Sequence, residues 1–464
     1  MTGPSYQQVA QADHDAVMRI YTALPERQGA GVVQAPPGAG KSTLIRSLAA
    51  ALATAEQRIA VGTQTTEQAD DLVLALHKAH PELRIARLHG SNGGMNAAVG
   101  VAAARSLGHL TTGTNGSDLL QDAQIMVAPT QKWAHEAHPS TMSPRAPLRH
   151  AFAALLIDES YQMRSDAFSY LPDLAPRMLC VGDPGQLAPF TTLKIDRWNG
   201  RGYGPTRPAM EVLRRNHPDL PLHQMHVSWR LPPSTAGLVQ DAFYPDVPFV
   251  PGTSVQDRQL LLGRENTRGG RGDRRVDAVL NQAARTGWAY VELPEAHTMR
   301  ADSEIATTLA GLAGRLLERG ATIVSELPAD HDGRPLRTQD IAVVTAHNDQ
   351  AAAVRLAMNE AGIDPGITVD TANAIQGREF AVVAVWHPLA GRRDASSFHL
   401  EAGRMCVMLT RHRHACIVIG RAGAQQLLEE YPDDHEVVLG EDAAGVDGWY
   451  ANHRVLEHLR KSRI

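Results

Sequence analysis

Short apolar runs alternate with helical segments in the first half of the chain. The apolar runs begin near Gly31 and continue as RIAVGT, AQIMVAPT, ALLIDES and RMLCVGD. Segments with a helical pattern, such as STLIRSLAAALATA and TEQADDLVLALHKA, lie between these runs. Alternation of short apolar strands with helices is typical of a parallel α/β sheet. The pattern therefore predicts an α/β fold for this block.

A second block repeats the pattern further along the chain. Its apolar runs are WAYVEL, DIAVVTA, FAVVAVW and CIVIG, and its helical segments include DSEIATTLAGLAGRLLERG. Between the blocks, residues 217–223 read HPDLPLH, which has the Pro-rich, polar character of a connector. We therefore predict two domains, at residues 1–222 and 223–464.

Two stretches interrupt the alternation. Residues 89–122 are rich in Gly, Ala, Ser and Thr, and we interpret them as a small insertion or flap in the first domain. Residues 263–275 read GRENTRGGRGDRR and combine Gly with repeated Arg. This second stretch fits either a solvated flexible loop or a loop that grips phosphates, and the sequence leaves both open.

Composition narrows the class of protein. The 464 residues include 45 Lys and Arg against 50 Asp and Glu, and the 43% hydrophobic fraction is ordinary for a folded globular chain. Because the net charge is −5, the chain as a whole does not attract nucleic acid, and any surface that binds nucleic acid must be confined to a local region. No apolar run approaches the roughly 20 residues of a membrane span, and the first residues lack the pattern of a signal peptide. With only three scattered cysteines, we expect a cytoplasmic protein without a disulfide framework.

The segment APPGAGKST, residues 35–43, follows an apolar run and opens a helical segment. In that context a Gly-rich turn and the N–H groups of the helix N-terminus surround phosphate oxygens, while Lys and Ser reach the β/γ-phosphates and Mg²⁺. The sequence therefore predicts a P-loop that binds ATP and Mg²⁺. The predicted nucleotide contacts here are Pro37, Gly38, Ala39, Gly40, Lys41, Ser42 and Thr43.

A pair of carboxylates follows the apolar run LLI at residues 155–157. Asp158 and Glu159 therefore lie at the carboxyl end of a predicted strand, where ligands of open α/β sheets bind. We predict that Asp158 holds Mg²⁺ together with Ser42, and that Glu159 activates the attacking water as a general base.

Further motifs narrow the type of NTPase. The segment VGDPGQLAP, residues 181–189, resembles motif III of superfamily 1 helicases, and DESYQ, residues 158–162, resembles the Asp-Glu box of that superfamily. This resemblance implies two tandem RecA-like P-loop NTPase domains with parallel sheets. It also assigns to Gln186 the sensing of the γ-phosphate.

The second domain carries three further motifs of this superfamily. HVSWRLP, residues 226–232, is similar to the motif that opens the second domain, and the resemblance implies that Trp229 stacks on the nucleotide base and that Arg230 reaches the γ-phosphate. RMCVMLTRHR, residues 404–413, resembles motif VI, with Arg411 as arginine finger and Arg413 able to share that role. TANAIQGRE, residues 371–379, resembles motif V and adds three predicted nucleotide contacts, which are Gly377, Arg378 and Glu379.

The remaining motifs predict contacts with a nucleic-acid strand. TQTTEQADDL, residues 63–72, resembles motif Ia, and TAHNDQ, residues 345–350, resembles motif IV. Hydroxyl and amide groups suit sequence-independent contacts with phosphates, although each Thr alone fits a capping or turn role equally well. Trp133 is a candidate for base stacking. The predicted strand contacts are Thr63, Gln64, Thr65, Pro129, Thr130, His347, Asn348 and Thr371.

The chain departs from the superfamily at a few positions. Asn373 stands where motif V usually has His or Asp, and Ala188 replaces a common Pro of motif III. The spacing expected for an adenine-reading Gln lands on Asp13, with Gln11 two residues earlier. Hydrolysis of a nucleoside triphosphate is therefore better supported by the sequence than selectivity for ATP.

Three functions fit these motifs to different degrees. The resemblance implies an ATP-dependent helicase or translocase that moves along single strands and unwinds DNA or RNA. The motifs are most similar to the branch that contains the helicases of nonsense-mediated RNA decay and their DNA-directed relatives, and this branch implies movement 5′ to 3′. An alternative is a nucleic-acid-stimulated ATPase that acts as a clamp or remodeller without separating strands. A small-molecule P-loop kinase is a third alternative, but it leaves Gln186, residues 376–379 and Arg411 without a purpose.

Overall fold

The computed structural model describes residues 5–26, 29–91, 94–138, 148–189, 207–264, 271–298, 301–430 and 446–464. Contacts between residues divide the chain into two compact units. The first unit contains the described residues as far as Pro184 and those within Ala188–His226, and the second contains Gly185–Leu187 and the described residues from Val227 onwards. The main division, between His226 and Val227, lies just after the predicted join at 222/223.

A parallel sheet organises the first unit. Its strands pair in the order β4-β3-β5-β2-β6-β7-β1-β8, and every pairing is parallel. The strands are β1 (Gly29–Gln34), β2 (Ile59–Thr63), β3 (Ile85–Leu88), β4 (Leu110–Gly113), β5 (Ile125–Pro129), β6 (Ala154–Ile157), β7 (Arg177–Gly182) and β8 (Leu222–Gln224).

Apolar side chains cover both faces of this sheet. Val32 and Val33, which are neighbours in β1, belong to two different buried clusters because successive side chains of a strand point to opposite faces. Burial on both faces explains why the strands appear in the sequence as continuous apolar runs. The helices of the unit are α1 (Tyr6–Ala23), α2 (Lys41–Thr54), α3 (Thr66–Ala79), α4 (Ala97–Arg105), α5 (Gly116–Leu120), α6 (Thr130–Ala137), α7 (Ser165–Phe168) and α8 (Ala209–Asn216).

Residues 89–122, predicted to be a small insertion or flap, contain a strand of the main sheet in the part that the structure describes. Strand β4 pairs with β3 at the edge of the sheet, and Val99 of α4 and Leu110 of β4 are buried in the main apolar cluster. The segment therefore belongs to the sheet and its covering helices. Its Ala-rich composition, which suggested a flap, suits the helix α4 because Ala has the highest helix propensity. Residues 92–93 lie outside the described residues.

A second parallel sheet organises the second unit. Its order is β12-β18-β17-β15-β16, and β11, β13 and β14 form a small antiparallel sheet beside a two-stranded pairing of β9 with β10. The strands are β9 (Val227–Ser228), β10 (Val250–Pro251), β11 (Gln259–Leu261), β12 (Trp288–Leu293), β13 (Thr322–Val324), β14 (Arg334–Pro335), β15 (Ile341–Thr345), β16 (Thr368–Thr371), β17 (Phe380–Trp386) and β18 (His412–Arg421).

The helices of the second unit cover its sheet with two buried apolar clusters. They are α9 (Pro233–Phe243), α10 (Arg271–Thr286), α11 (Ser303–Glu318), α12 (Asn348–Glu360), α13 (Ser397–Leu400), α14 (Ala402–Leu409), α15 (Ala424–Glu430) and α16 (Gly448–Lys461).

The prediction of a loop over residues 263–275 is wrong at its carboxyl end. Residues 271–275 form the first turns of α10, which Val279, Leu280 and Ala283 anchor in the core. The side chains of Arg274 and Arg275 are exposed on this helix. The apolar face of the helix outweighs the local Gly and Arg content, because most helical stability in proteins comes from packing. Residues 265–270 lie outside the described residues, so the phosphate-gripping interpretation stays a prediction.

Both units are α/β with parallel central sheets, and the predicted fold class is confirmed. Within the described ranges, none of the helices combines the length and the apolar character that a membrane crossing requires.

Candidate functional site

The turn between β1 and α2 has the backbone conformation of a phosphate-binding loop. Gly38 and Gly40 have φ angles of 74° and 88°, in the left-handed region that favours glycine. A Cβ atom on Gly40 would meet nothing within 4 Å, so this Gly is required by conformation and not by space. Helix α2 begins directly after it at Lys41. Its first N–H groups lack partners within the helix, which is the arrangement that binds anions.

Lys41 lies between two carboxylates. Its Nζ atom is 3.6 Å from Oε1 of Glu159 and 3.7 Å from Oδ2 of Asp183, and only 8% of the residue is exposed. Lys41, Glu159 and Asp183 follow the carboxyl ends of β1, β6 and β7, respectively. These three strands are neighbours in the sheet. Sequence reasoning missed Asp183, although it stands directly after the apolar run RMLCVG in the motif that was used to identify Gln186.

Ser42 and Asp158, the two predicted magnesium ligands, are in direct contact. The Ser42 hydroxyl donates to Oδ2 of Asp158 at 3.1 Å, and the Glu159 N–H donates to Oδ1 of Asp158 at 2.9 Å. Hydroxyl and carboxylate oxygens are the ligands that Mg²⁺ prefers. Burial, and then the neighbouring Glu159 carboxylate, raise the pKa of Asp158 to about 7, against the opposing effect of Lys41. An added cation at this position would favour the ionised form of Asp158.

Glu159 is held in an unusual backbone conformation. Its φ of 53° lies in the left-handed region, which is strained for a residue with a side chain, and such residues are concentrated at functional sites. A short turn at Ser160–Gln162 follows, and the Gln162 amide donates to Oε2 of Glu159 at 3.4 Å. The carboxylate is thus oriented by both Lys41 and Gln162.

Two predicted arginines of the second unit converge on one carboxylate. Nη2 of Arg230 lies 3.2 Å from Oε1 of Glu379, and Nη1 of Arg413 lies 3.3 Å from Oε2. Partial burial raises the pKa of Glu379, but the Arg230 and Arg413 guanidinium groups outweigh it, and the net shift of the pKa is downward. Glu379 is therefore ionised and holds both guanidinium groups at one place.

Arg411 has a different environment from Arg413. It is 1% exposed, and its guanidinium donates to the Val407 carbonyl at 3.3 Å and to the Thr410 hydroxyl at 3.0 Å, at the end of α14. The side chain of Arg413, by contrast, is 19% exposed. The structure thus brings Arg230 and Arg413 together on Glu379 and packs Arg411 against α14.

The other predicted residues of the second unit lie at separate positions. Gln186, which belongs to this unit by its contacts, accepts a hydrogen bond from the Gln376 amide at 3.2 Å. The half-exposed Trp229 ring packs so closely on Gly252 that an added Cβ would be 2.6 Å from the ring. Arg378 donates to the Thr368 hydroxyl at 3.1 Å, so its guanidinium is not on the Glu379 carboxylate that holds the other arginines.

Two family models, each described as an AAA domain, match the chain over residues 15–195 and 207–423. Each match lies mainly within one unit, and between them they contain the P-loop, the Asp-Glu pair and the motifs of the second unit in the expected order. This pair of matches is typical of superfamily 1 helicases. No curated protein matches its sequence.

Solved structures of viral helicases are similar to this chain at low identity. Arterivirus nonstructural protein 10 (helicase) is 13% identical with a TM-score of 0.43, over 89% of this chain and 63% of that one. Its complex with DNA is 12% identical with a TM-score of 0.42, over 89% and 64%. The PRRSV helicase is 14% identical with a TM-score of 0.40, over 87% and 54%. The chain thus spans somewhat more than half the length of these proteins.

Several predicted strand contacts of the superfamily 1 motifs have structural roles in the first unit. Thr63 is buried, and its hydroxyl donates to the Thr65 carbonyl, while the Thr65 side chain caps α3. Gln64 is half-buried and connects two parts of the site, because its amide donates to the Asp158 carbonyl at 3.3 Å and its oxygen accepts from the buried Thr130 hydroxyl at 3.3 Å. Pro129 ends strand β5. Gln64 therefore joins the predicted strand contacts to the predicted metal ligand.

The interpretation of Trp133 as a base-stacking residue is wrong. Its ring is fully buried, meets Phe152 edge-on at 5.5 Å, and donates its N–H to the Val61 carbonyl at 2.9 Å. The sequence places it in the helix that follows β5, and the buried face of that helix leaves no ring surface for a base.

The predicted strand contacts of the second unit lie beside an aromatic residue that sequence reasoning missed. His347 is the N-cap residue that precedes α12, and its ring stacks on Phe398 at 4.7 Å with an angle of 22°. The Arg404 guanidinium lies 3.8 Å from the centre of the same Phe398 ring and donates to Asn373 at 2.9 Å. Asn348 is exposed and Thr371 half-exposed. The motifs flank Phe398 in the sequence but do not include it, so no pattern singled it out.

Proposed function

We propose that the protein hydrolyses ATP and uses the hydrolysis to move along a single nucleic-acid strand and to separate DNA or RNA duplexes. The observation that carries this proposal is the arrangement around Lys41, in which a P-loop, the Asp158–Glu159 pair and Asp183 meet at one edge of a parallel sheet. In the second unit, the arginines on Glu379 belong to the motifs that the superfamily resemblance assigns to the γ-phosphate. Movement 5′ to 3′ is proposed only from the resemblance to the branch of the nonsense-mediated-decay helicases.

Each residue of the first unit has a chemical role in this proposal. Lys41 neutralises oxygens of the β- and γ-phosphates. Ser42 and Asp158 would hold Mg²⁺, which would supply charge stabilisation when bound. Glu159 accepts the proton of the attacking water. The Glu159 carboxylate needs a fixed orientation for this role, and its contacts with Lys41 and Gln162 support such an orientation.

Coupling of the nucleotide to the strand rests on Gln64. Because Gln64 contacts both the backbone of Asp158 and the Thr130 hydroxyl, a change at the magnesium ligand reaches the ends of β2 and β5, where the strand contacts Thr63 and Pro129 are proposed. Buried hydroxyls such as Thr63 and Thr130 do not offer their side chains to phosphates, so backbone N–H groups are the better candidates there.

The test is phosphate release with ATP and Mg²⁺, with and without single-stranded DNA or RNA, followed by strand displacement on tailed duplexes. Glu159→Gln should bind ATP normally and lose turnover, whereas the control Glu136→Gln, at a partly exposed carboxylate paired with Lys132, should keep it. Loss of ATP affinity with intact turnover in Glu159→Gln would refute the role of the base. Stimulated hydrolysis without strand displacement would make the protein a clamp or remodeller.

A further inference from the structure

Asp13, His223 and His226 form a cluster in the first unit that the proposed ATPase site does not use. Asp13 lies on α1 and is 4% exposed. Its Oδ1 atom is 3.1 Å from Nε2 of His223 and 2.8 Å from Nδ1 of His226. The potential ligand atoms of the three side chains all lie within 4.8 Å of one another. Two imidazole nitrogens thus converge on one carboxylate oxygen.

Local structure fixes all three side chains. Asp13 lies one turn before Val17 on the buried face of α1, because side chains four residues apart share a face of a helix. His223 belongs to β8 and lies opposite Val33 of β1 in the parallel pairing. The His226 backbone N–H donates to Oδ2 of Asp13 at 2.8 Å, so the second carboxylate oxygen is already engaged.

These bonds give the Asp13 carboxylate partners other than a nucleotide base. The superfamily spacing expects an adenine-reading Gln at this position, but both oxygens of Asp13 contact residues of the 223–226 segment. Its carboxylate is therefore committed within the first unit.

The donor set is that of a transition-metal site. Two imidazole nitrogens and one carboxylate oxygen bind Zn²⁺ and similar divalent ions, whereas Mg²⁺ and Ca²⁺ prefer oxygen ligands throughout. The backbone N–H on Oδ2 supplies the outer contact that commonly orients a ligating carboxylate. We propose that Asp13, His223 and His226 bind one Zn²⁺-like ion, with solvent in the fourth position, where the His226 side chain is 45% exposed.

Such an ion would join parts of the chain that are far apart in sequence. It would tie α1 to the end of β8, and the next residue of that strand, Gln224, donates to the Gln34 side chain at 3.3 Å at the end of β1. Strand β1 leads directly into the P-loop. Metal binding would therefore stiffen the edge of the sheet beside the nucleotide-binding turn and stabilise the first unit.

Histidine–aspartate hydrogen bonds without a metal are the competing explanation, and conservative variants separate the two. Asp13→Asn keeps an oxygen that accepts hydrogen bonds but loses the charge that a metal ligand supplies. His226→Gln keeps a side chain that donates to Asp13 but removes the imidazole nitrogen. His331→Gln is the control, because that side chain is 79% exposed and lies outside the cluster. Asp158→Asn controls for binding at the proposed magnesium site.

The experiment titrates Zn²⁺ and Co²⁺ into the untagged, chelator-treated full chain without nucleotide. The parent, His331→Gln and Asp158→Asn should each bind about one Zn²⁺ at this site, with the absorption of four-coordinate Co²⁺ and a Zn²⁺-dependent rise in Tm. Asp13→Asn and His226→Gln should bind it at least about tenfold more weakly and lose the rise in Tm. Equal binding by Asp13→Asn and the parent, or a parent that binds no Zn²⁺, would overturn the proposal. Neither result depends on ATP hydrolysis.

Discussion

Replacing Asp158 by Asn tests the electrostatic description of the nucleotide-binding turn. Burial raises the pKa of this carboxyl from 3.8 to about 7, with a further contribution from Glu159. A group with a raised pKa in the folded state stabilises the fold fully below its unfolded pKa, and this stabilisation is lost as the pH rises through the folded value. The parent without Mg²⁺ or nucleotide should therefore become less stable between about pH 4 and pH 7.

The magnitude follows from the shift. A rise from 3.8 to about 7 is about three pKa units, and at about 1.4 kcal/mol per unit the full effect is about 4 kcal/mol. Between about pH 5.5 and pH 8 the protein loses about 2 kcal/mol of this stabilisation, because Asp158 of the folded protein is still protonated at the lower pH. Asn has nearly the same shape and no charge. It can accept from the Glu159 N–H and donate to Ser42, so Asp158→Asn should not show this loss.

The assay is urea unfolding of both proteins at these two pH values, without Mg²⁺ or nucleotide. Asp122→Asn, at an exposed carboxyl of the same unit, should keep the pH dependence of the parent. Addition of Mg²⁺ with a non-hydrolysable nucleotide should stabilise the parent at the higher pH and leave Asp158→Asn almost unchanged. If the free energy of unfolding changes equally between the two pH values in the parent and in Asp158→Asn, the assignment of the raised pKa to this residue is refuted.

Two further changes test the second unit. Arg411→Ala should lower kcat by orders of magnitude and change the ATP affinity only a few-fold, because a transition-state contact is lost. It should also lower the Tm, since the side chain is buried and bonded to α14. Normal turnover in Arg411→Ala, with a loss of turnover in Arg413→Ala, would assign the arginine finger to Arg413. Trp229→Ala should raise the KM for ATP with little change in kcat, measured in steady state, and an unchanged KM would limit the ring to packing on Gly252.

The fold class could be predicted because buried parallel strands leave a direct signal in the sequence. Strands β6 and β7 appear as LLI and MLCVG, with acidic residues directly after them, and the carboxyl edge of the sheet follows from that order. The P-loop was equally visible, because the backbone angles of Gly38 and Gly40 restrict those positions to glycine. Local rules of this kind need no knowledge of distant contacts.

Features that depend on distant contacts were missed or misread. Residues 97–113 look like a flap by composition, yet the pairing of β4 with β3 makes them part of the sheet. The contact of Asp13 with His223 and His226 joins residues more than 200 positions apart, which no motif spacing reveals. Trp133 was misread for the same reason, because only packing decides whether an aromatic ring in a helix faces the core or a ligand.

The charges of the nucleotide-binding turn have a consequence for the order of binding. Lys41 already lies between Glu159 and Asp183, and the buried Asp158 stands next to Glu159. An ATP molecule without a metal would bring its negative charge to a place where three carboxylates are grouped around one ammonium, and in a buried position this repulsion is weakly screened. Mg²⁺ held by Ser42 and Asp158 would reverse the balance, because it would stabilise the ionised Asp158 and neutralise phosphate oxygens at the same time. Nucleotide and Mg²⁺ should therefore bind together, with the affinity for ATP strongly dependent on the metal.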